Sequence, residues 1–250
     1  MKMGVAFVAG TTLALAAGAA NAAAFLTFQD PAGGREVVYT APTKPGALGS
    51  LDVTGVVSLQ FDLTSFGLGV VTYAGLNYHK TADVGPAIDL GDDNFKAEVY
   101  NGHFEYRDPS QGNALILSGD FGTGLSQGPN GANLLVTGLS GALVANATAK
   151  SGSLSYGFGT GVIQPGNPGA GSDLPSYLAA NNYAFGAAID GNWTITGIAP
   201  VPSLLDDGFL NSFDANAAFS GTIEVNRVPT PGTAALAGVA GLILARRRRA

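Results

Sequence analysis

The chain contains no cysteine in its 250 residues, and it has only two histidines and one tryptophan. The absence of cysteine excludes disulfide bonds and thiolate chemistry. Export from the cell does not require disulfides, so this composition is compatible with a protein that works outside the cytoplasm. With so few histidines, the sequence also has little material for a zinc site or a histidine-based catalytic centre.

Basic residues are scarce in the middle of the chain. Five of the 12 Lys and Arg residues lie at the two ends, as Lys2 and Arg246, Arg247, Arg248 and Arg249, whereas all 18 acidic residues lie between positions 23 and 227. Nucleic-acid binding needs clustered Lys and Arg to contact phosphates, so we expect no nucleic-acid partner. An acidic body suits solubility outside the cell, or the binding of cations.

The first 22 residues are arranged like a secretory signal peptide. Lys2 supplies a positive charge, and residues 4–19 are apolar or small apart from two threonines. Ala20 and Ala22 then place small side chains at positions −3 and −1 of a cut before Ala23. This order predicts a signal-peptide helix over residues 1–22 that signal peptidase removes.

The other end carries a second apolar segment. Pro229 and Pro231 cannot donate to a strand ladder, and they precede an uncharged run over residues 234–245. As a helix, residues 233–245 would span only ~20 Å, which is short for a bilayer core of ~30 Å. The run ends in four arginines, which favour the cytoplasmic side of a membrane. We therefore expect a short membrane helix with the body outside the cell.

This tail resembles a PEP-CTERM sorting signal, the substrate of exosortase-type membrane enzymes. The matching features are the motif Val228-Pro229-Thr230-Pro231, the apolar run and the arginine cluster, and the departure is Thr230, where the commonest form has Glu. The resemblance covers residues 228–250. It implies export, recognition at the proline motif, and cleavage with release or transfer to surface material. An ordinary single-pass anchor is the alternative.

Residues 23–227 are predicted to form a β-rich extracytoplasmic domain. Apolar and polar residues alternate over 57–63, 95–99 and 104–106, and the pair Asn101-Gly102 predicts a hairpin turn between the last two runs. We expect an all-β fold, an antiparallel β-sandwich or jelly-roll-like body, with an irregular barrel as the alternative. Further strands are predicted at residues 115–118, 134–136, 141–145, 153–158, 193–198 and 219–225.

Helical signal is confined to one short segment. Residues 174–180 follow Ser172 or Asp173, either of which could serve as an N-cap. The Gly- and Pro-rich stretch 164–172 before it predicts a long loop or a seam between two halves.

No catalytic pattern stands out. His79 and His103 lie on predicted strands beside aromatic residues, which favours solvent-facing strand histidines. Gly124-Leu125-Ser126-Gln127-Gly128 matches the letters Gly-x-Ser-x-Gly, but Leu125-Ser126 is typical of a turn, so we do not interpret it as a nucleophile elbow. We expect no enzyme activity. Trp193 alternates with Ile195, which indicates a core position rather than a sugar-stacking platform.

Two ligand hypotheses remain open for the body. Asp89, Asp92, Asp93 and Asn94 bring oxygen atoms together in a Gly-bearing loop, which indicates a solvated turn or a structural Ca²⁺ site. A sheet face bearing Tyr73, Tyr78, Tyr100 and Tyr106 could bind glycan, although tyrosine also favours strands for its own reasons. The sequence thus favours an exported cell-envelope or extracellular-matrix protein with a structural or interaction role. A carbohydrate- or calcium-binding module is the alternative, extracellular polysaccharide is a possible partner, and no cofactor other than calcium is expected.

Overall fold

The computed structural model describes residues 21–29, 36–122, 132–146 and 154–228, with the backbone alone for residues 21–29, 144–146 and 187–189. The described chain is mostly antiparallel β-sheet, which confirms the predicted all-β class. The elements in chain order are β1 (Asn21–Gln29), β2 (Val37–Thr40), β3 (Gly49–Asp62), β4 (Val70–Gly91), β5 (Asn94–Asp108), β6 (Ala114–Phe121), β7 (Ala132–Thr137), β8 (Ser140–Asn146), β9 (Leu154–Phe158), α1 (Leu174–Ala180), β10 (Tyr183–Ala199) and β11 (Phe213–Arg227).

Hydrogen bonding joins the long strands into a closed ring. The order runs β3, β4, β5, β7, β8, β10 and β11. Two short strands then lie between β11 and β3 and close the ring. β2 pairs with the first half of β11 and of β3, and β1 pairs with the second half of each. β6 and β9 extend the sheet from the second half of β5.

The ring has two ends, which we name by their contents. The hairpin end holds the β4–β5 turn at Asp92 and Asp93 and the β7–β8 turn at Gly138 and Leu139. The terminal end holds Asn21, where β1 begins, and Arg227, where β11 finishes. Helix α1 lies at the terminal end, because Asn182 just after it accepts a hydrogen bond from Val228 N at 2.7 Å.

Alternation along each strand separates an inner face from an outer face, since successive side chains point to opposite sides of a sheet. In β11, residues 213, 215, 217, 219, 221, 223 and 225 are buried, and the residues between them are more exposed. The inward residues of all the long strands form a single hydrophobic cluster. Trp193 on β10 contacts residues of β5, β6 and β11 in this cluster, so the core lies in the middle of the ring.

The predicted hairpin at Asn101-Gly102 is wrong. β5 runs through both residues without reversing, and the hairpin turn is at Asp92-Asp93, where φ is 53° and 57°. Asn101 has φ of 49° because it lies at a bulge, between the part of β5 that pairs with β7 and the part that pairs with β6. Asn tolerates this left-handed conformation both in a bulge and in a turn. The Asn-Gly pair alone therefore does not distinguish a bulge from a hairpin turn.

Helix α1 confirms the predicted helix at 174–180, and Asp173 is its N-cap. The Asp173 carboxylate accepts hydrogen bonds from Ser176 N and Ser176 Oγ, both at 2.8 Å. The six further predicted strands all fall on described strands, with one residue of 153–158 outside. Among the described residues, no helix is long and apolar enough to cross a membrane.

Residues 164–172 form the predicted loop, and they pack on β4 through two side-chain amides. Gln164 accepts from Ala74 N and donates to Ala74 O, while Asn167 accepts from Thr72 N and donates to Thr72 O, at 2.9 to 3.2 Å. Each side-chain amide thus makes the same two backbone hydrogen bonds with a β4 residue that a residue of a neighbouring strand would make. The free backbone edge at the start of β4 is satisfied by side chains instead of by a further strand.

Candidate functional site

A row of titratable side chains occupies the outer face of β3, β4, β5 and β6. Tyr78 and Lys80 point into the core, so His79 between them points outward, where its Nε2 lies 3.5 Å from Asp52 Oδ2. His103 points outward from β5 in the same way, with Nδ1 at 2.7 Å from Asp120 Oδ1. The side chains of both histidines are about half exposed, which confirms their predicted solvent-facing strand positions.

Glu105 and Arg107 complete this row. Glu105 lies directly opposite His79 in the β4–β5 register, and its Oε2 is 2.8 Å from an Arg107 guanidinium nitrogen. The Arg107 hydrogen bond lowers the pKa of Glu105, with smaller contributions from the charge of Arg107 and from His103 and His79. We call this surface the histidine face: Asp52, His79, Glu105, Arg107, His103 and Asp120.

The histidine face carries hydrogen-bond donors and acceptors side by side. Its carboxylates accept hydrogen bonds and its guanidinium donates them, while each imidazole can do both. Among the described residues, the hydrogen bonds of the two histidines go to carboxylates, which orients an imidazole but supplies no nucleophile. The outer face can therefore hold a polar partner through many exposed groups.

Lys80 is a buried charged residue that the sequence analysis missed, as is Asp108. Its side chain is 1% exposed, and Nζ lies 4.4 Å from the ring centroid of Trp193 and 5.8 Å from that of Phe121. No ion pair joins it to a carboxylate of the described residues. Burial lowers its pKa well below the ordinary value. A cation–π contact contributes ~2 kcal/mol, less than the several kcal/mol that desolvating an ammonium costs, so burial favours the neutral amine over the ammonium.

A hydrogen-bonded pair stands beside Lys80 in the core. Trp193 Nε1 donates to Tyr78 OH at 3.0 Å, and the rings of Tyr78 and Tyr106 lie 4.7 Å apart. Burial raises the pKa of both tyrosines. Trp193 is fully buried, which confirms its predicted core position.

The hypothesis of a tyrosine-lined glycan face is wrong. Tyr73, Tyr78 and Tyr106 are all buried, because they fall on the inward positions of their strands. Tyr100 alone is partly exposed, and its OH donates to Glu98 Oε2 at 2.6 Å. That hydrogen bond is the main reason why the pKa of Tyr100 rises to about 12.

The proposed calcium residues form the β4–β5 turn. Asp89 Oδ1 accepts from Gly91 N at 2.8 Å, and the Asn94 amide donates to Gly91 O at 2.8 Å and to Asp92 O at 3.0 Å. These bonds close a tight turn without a metal. Over the described ranges, no group of three or more His, Cys, Asp or Glu side chains is placed to hold a metal ion. Calcium binding stays a prediction.

The predicted processing sites lie mainly outside the described residues. Those outside are Ala20, Pro229, Thr230, Pro231, Arg246, Arg247, Arg248 and Arg249. Ala22 and Ala23 belong to the backbone of β1, and Val228 follows β11 directly.

No family model, curated protein or solved structure matches this chain. Its function is therefore inferred from its residues and their geometry alone.

Proposed function

We propose that this chain is an exported cell-envelope or extracellular-matrix protein, with a structural or interaction role for its β-rich body. The observation that carries the proposal is the pair of apolar segments at residues 4–19 and 234–245. Each is flanked by the charge and the small or proline residues that membrane machinery reads. Signal peptidase cuts before Ala23, and an exosortase-type enzyme acts at Pro229-Thr230-Pro231.

The arrangement of the body supports an interaction role rather than turnover. Aromatic side chains such as Trp193, Phe104 and Tyr106 fill the middle of the ring, so the chemistry that a partner can reach is on the outer surface. The histidine face offers hydrogen-bond donors and acceptors on a broad sheet, which suits the hydroxyl groups of an extracellular polysaccharide. Phosphate-rich partners are disfavoured by the acidic composition.

The fold of the body, in this proposal, is a sandwich of two facing layers that the long strands connect. Trp193 on β10 and Tyr78 on β4 are hydrogen-bonded through their side chains, yet their strands are not neighbours in the sheet. Phe104 on β5 and Phe219 on β11 meet in the same way, with ring centroids 6.4 Å apart. These contacts support two layers that enclose one core.

The test is mass spectrometry of the native protein. We expect extracellular or envelope material to begin at Ala23 and to lack Arg246–Arg249. A variant with Pro229→Ala and Pro231→Ala should keep the arginines and stay with the membrane, while a Pro202→Ala control, in the loop between β10 and β11, should be processed normally. Full-length chain recovered from the cytosol, or extracellular material that still carries Met1 and the arginines, would overturn the proposal.

Calcium distinguishes this proposal from the alternative of a calcium-binding module. We expect the thermal unfolding midpoint to be the same with Ca²⁺ as with a chelator, because the β4–β5 turn is closed by its own hydrogen bonds. Differential scanning calorimetry measures this. A midpoint that rises with Ca²⁺ by mass action, and that no longer rises in an Asp92→Asn, Asp93→Asn variant, would favour the alternative.

A further inference from the structure

Strands β1 and β11 bring the two ends of the body together. β1 pairs with β11 antiparallel, and Asn21 at the start of β1 lies opposite Val225 near the finish of β11. Neighbouring strands in a sheet are ~4.8 Å apart. The chain therefore enters the body and leaves it side by side, at the terminal end of the ring.

Both apolar segments are joined to this end by very short connections. The N-terminal run stops at Ala19, two residues before Asn21. The C-terminal run starts at Ala234, six residues after Val228, and an extended chain covers at most ~3.5 Å per residue. Each apolar run thus begins within ~20 Å of the terminal end.

The position of Val228 is itself fixed. Its backbone N–H donates to Asn182 O at 2.7 Å, in the turn after α1. The exit point of the chain is therefore tied to a folded part of the body, and the proline motif follows one residue later. Little free chain is available for the body to turn away from the segment that follows.

From this geometry we infer that the terminal end faces a lipid membrane surface while either apolar segment is in the bilayer. The hairpin end then points away from it, by ~45 Å along the 15 residues of β11. The inference rests on the proposed function, because it requires the apolar runs to be in the membrane. It adds an orientation of the body, in which the β4–β5 turn is the part farthest from the membrane. The histidine face is then on the side of the body, neither toward the membrane nor at the far end.

Energy transfer from single cysteines to lipid tests this orientation, since the chain has no cysteine of its own. Ser65 is exposed near the terminal end, where its neighbour Phe66 packs on Tyr183, and Leu139 is exposed at the hairpin end. Full-length Ser65→Cys and Leu139→Cys variants would be labelled with a donor dye. They would be incorporated into vesicles of phosphatidylethanolamine and phosphatidylglycerol that carry an acceptor dye on a lipid head group.

We expect transfer to be several-fold more efficient from position 65 than from position 139. Flotation of the same samples shows whether the protein is in the vesicles. Protein that floats but gives equal or reversed transfer efficiencies would overturn the orientation and leave the export proposal standing. Protein that does not float at all would overturn both, because no apolar segment would then hold the body at a membrane.

Discussion

Replacing Lys80 with Met is expected to raise the free energy of unfolding at pH 7, by roughly the 1–4 kcal/mol gained when buried charged groups are replaced by apolar side chains of similar volume. The amine of Lys80 is buried among aromatic rings, and burial lowers its pKa far below 10.5. At neutral pH the unfolded chain binds a proton at this site that the folded chain excludes, and each unit of pKa difference is worth about 1.4 kcal/mol. Met keeps most of the volume and carries no charge to lose.

The same substitution should change how stability depends on pH. For a lysine whose pKa is lowered on folding, the cost vanishes above the unfolded pKa of 10.5 and grows as the pH falls, until the folded pKa is reached. Between pH 7 and about 9.5, the wild type should therefore gain up to about 1.4 kcal/mol per pH unit relative to Lys80→Met. Above this window the gain levels off, because the lysine of the unfolded chain loses its own proton as the pH approaches 10.5.

Urea unfolding followed by the fluorescence of Trp193 measures both effects, since this is the only tryptophan. Lys44→Met is the matched control, because Lys44 is exposed and the substitution should change stability by less than about 0.5 kcal/mol. If Lys80→Met were less stable than the wild type at pH 7, the amine would instead be a charged group held by the Trp193 and Phe121 rings.

Lys80 also shows where reasoning from sequence stops. The inward face of β4 follows from the alternation of its residues. Tyr78 and Ala82 lie two positions before and two positions after Lys80, and both are buried. A period of two places position 80 inside, but the preference of lysine for solvent argues against it. Only the neighbouring strands decide the matter, since they supply the Trp193 and Phe121 rings over the amine.

Local features were predictable because they depend on neighbours in the chain. Helix α1 needed only Asp173 as a cap and a short apolar run, and its bounds were predicted correctly. The outward positions of His79 and His103 followed from alternation within one strand. What alternation cannot supply is the pairing between strands, and so the partners Asp52 and Asp120 came only from the structure.

Which strands close the ring was beyond prediction for the same reason. β1 and β2 both lie between β3 and β11, although β3 and β11 are separated by most of the chain. The β4 edge is covered by Gln164 and Asn167 amides, which look like ordinary loop residues in sequence. Such long-range choices depend on which arrangement leaves the fewest unpaired backbone groups.

Trp193→Ala is the second substitution with a large expected effect, a loss of about 3–5 kcal/mol in the free energy of unfolding. The indole is fully buried and packs against Phe104, Phe121 and Phe219, with ring centroids 4.8 to 5.6 Å apart. Its removal leaves a cavity between strands that face each other across the core. Urea unfolding followed by far-ultraviolet circular dichroism measures the loss, because the variant has no tryptophan.

Tyr78→Phe separates packing from hydrogen bonding at the same place. The ring remains, but Trp193 Nε1 loses the acceptor that lies 3.0 Å away, and an unpaired buried donor costs about 1–3 kcal/mol. Tyr100→Phe is the control, because that hydroxyl bonds to Glu98 in a partly exposed position and its removal should cost less. If Trp193→Ala unfolded like the wild type, the facing strands would not depend on this contact, and the proposed two-layer body with one shared core would be wrong.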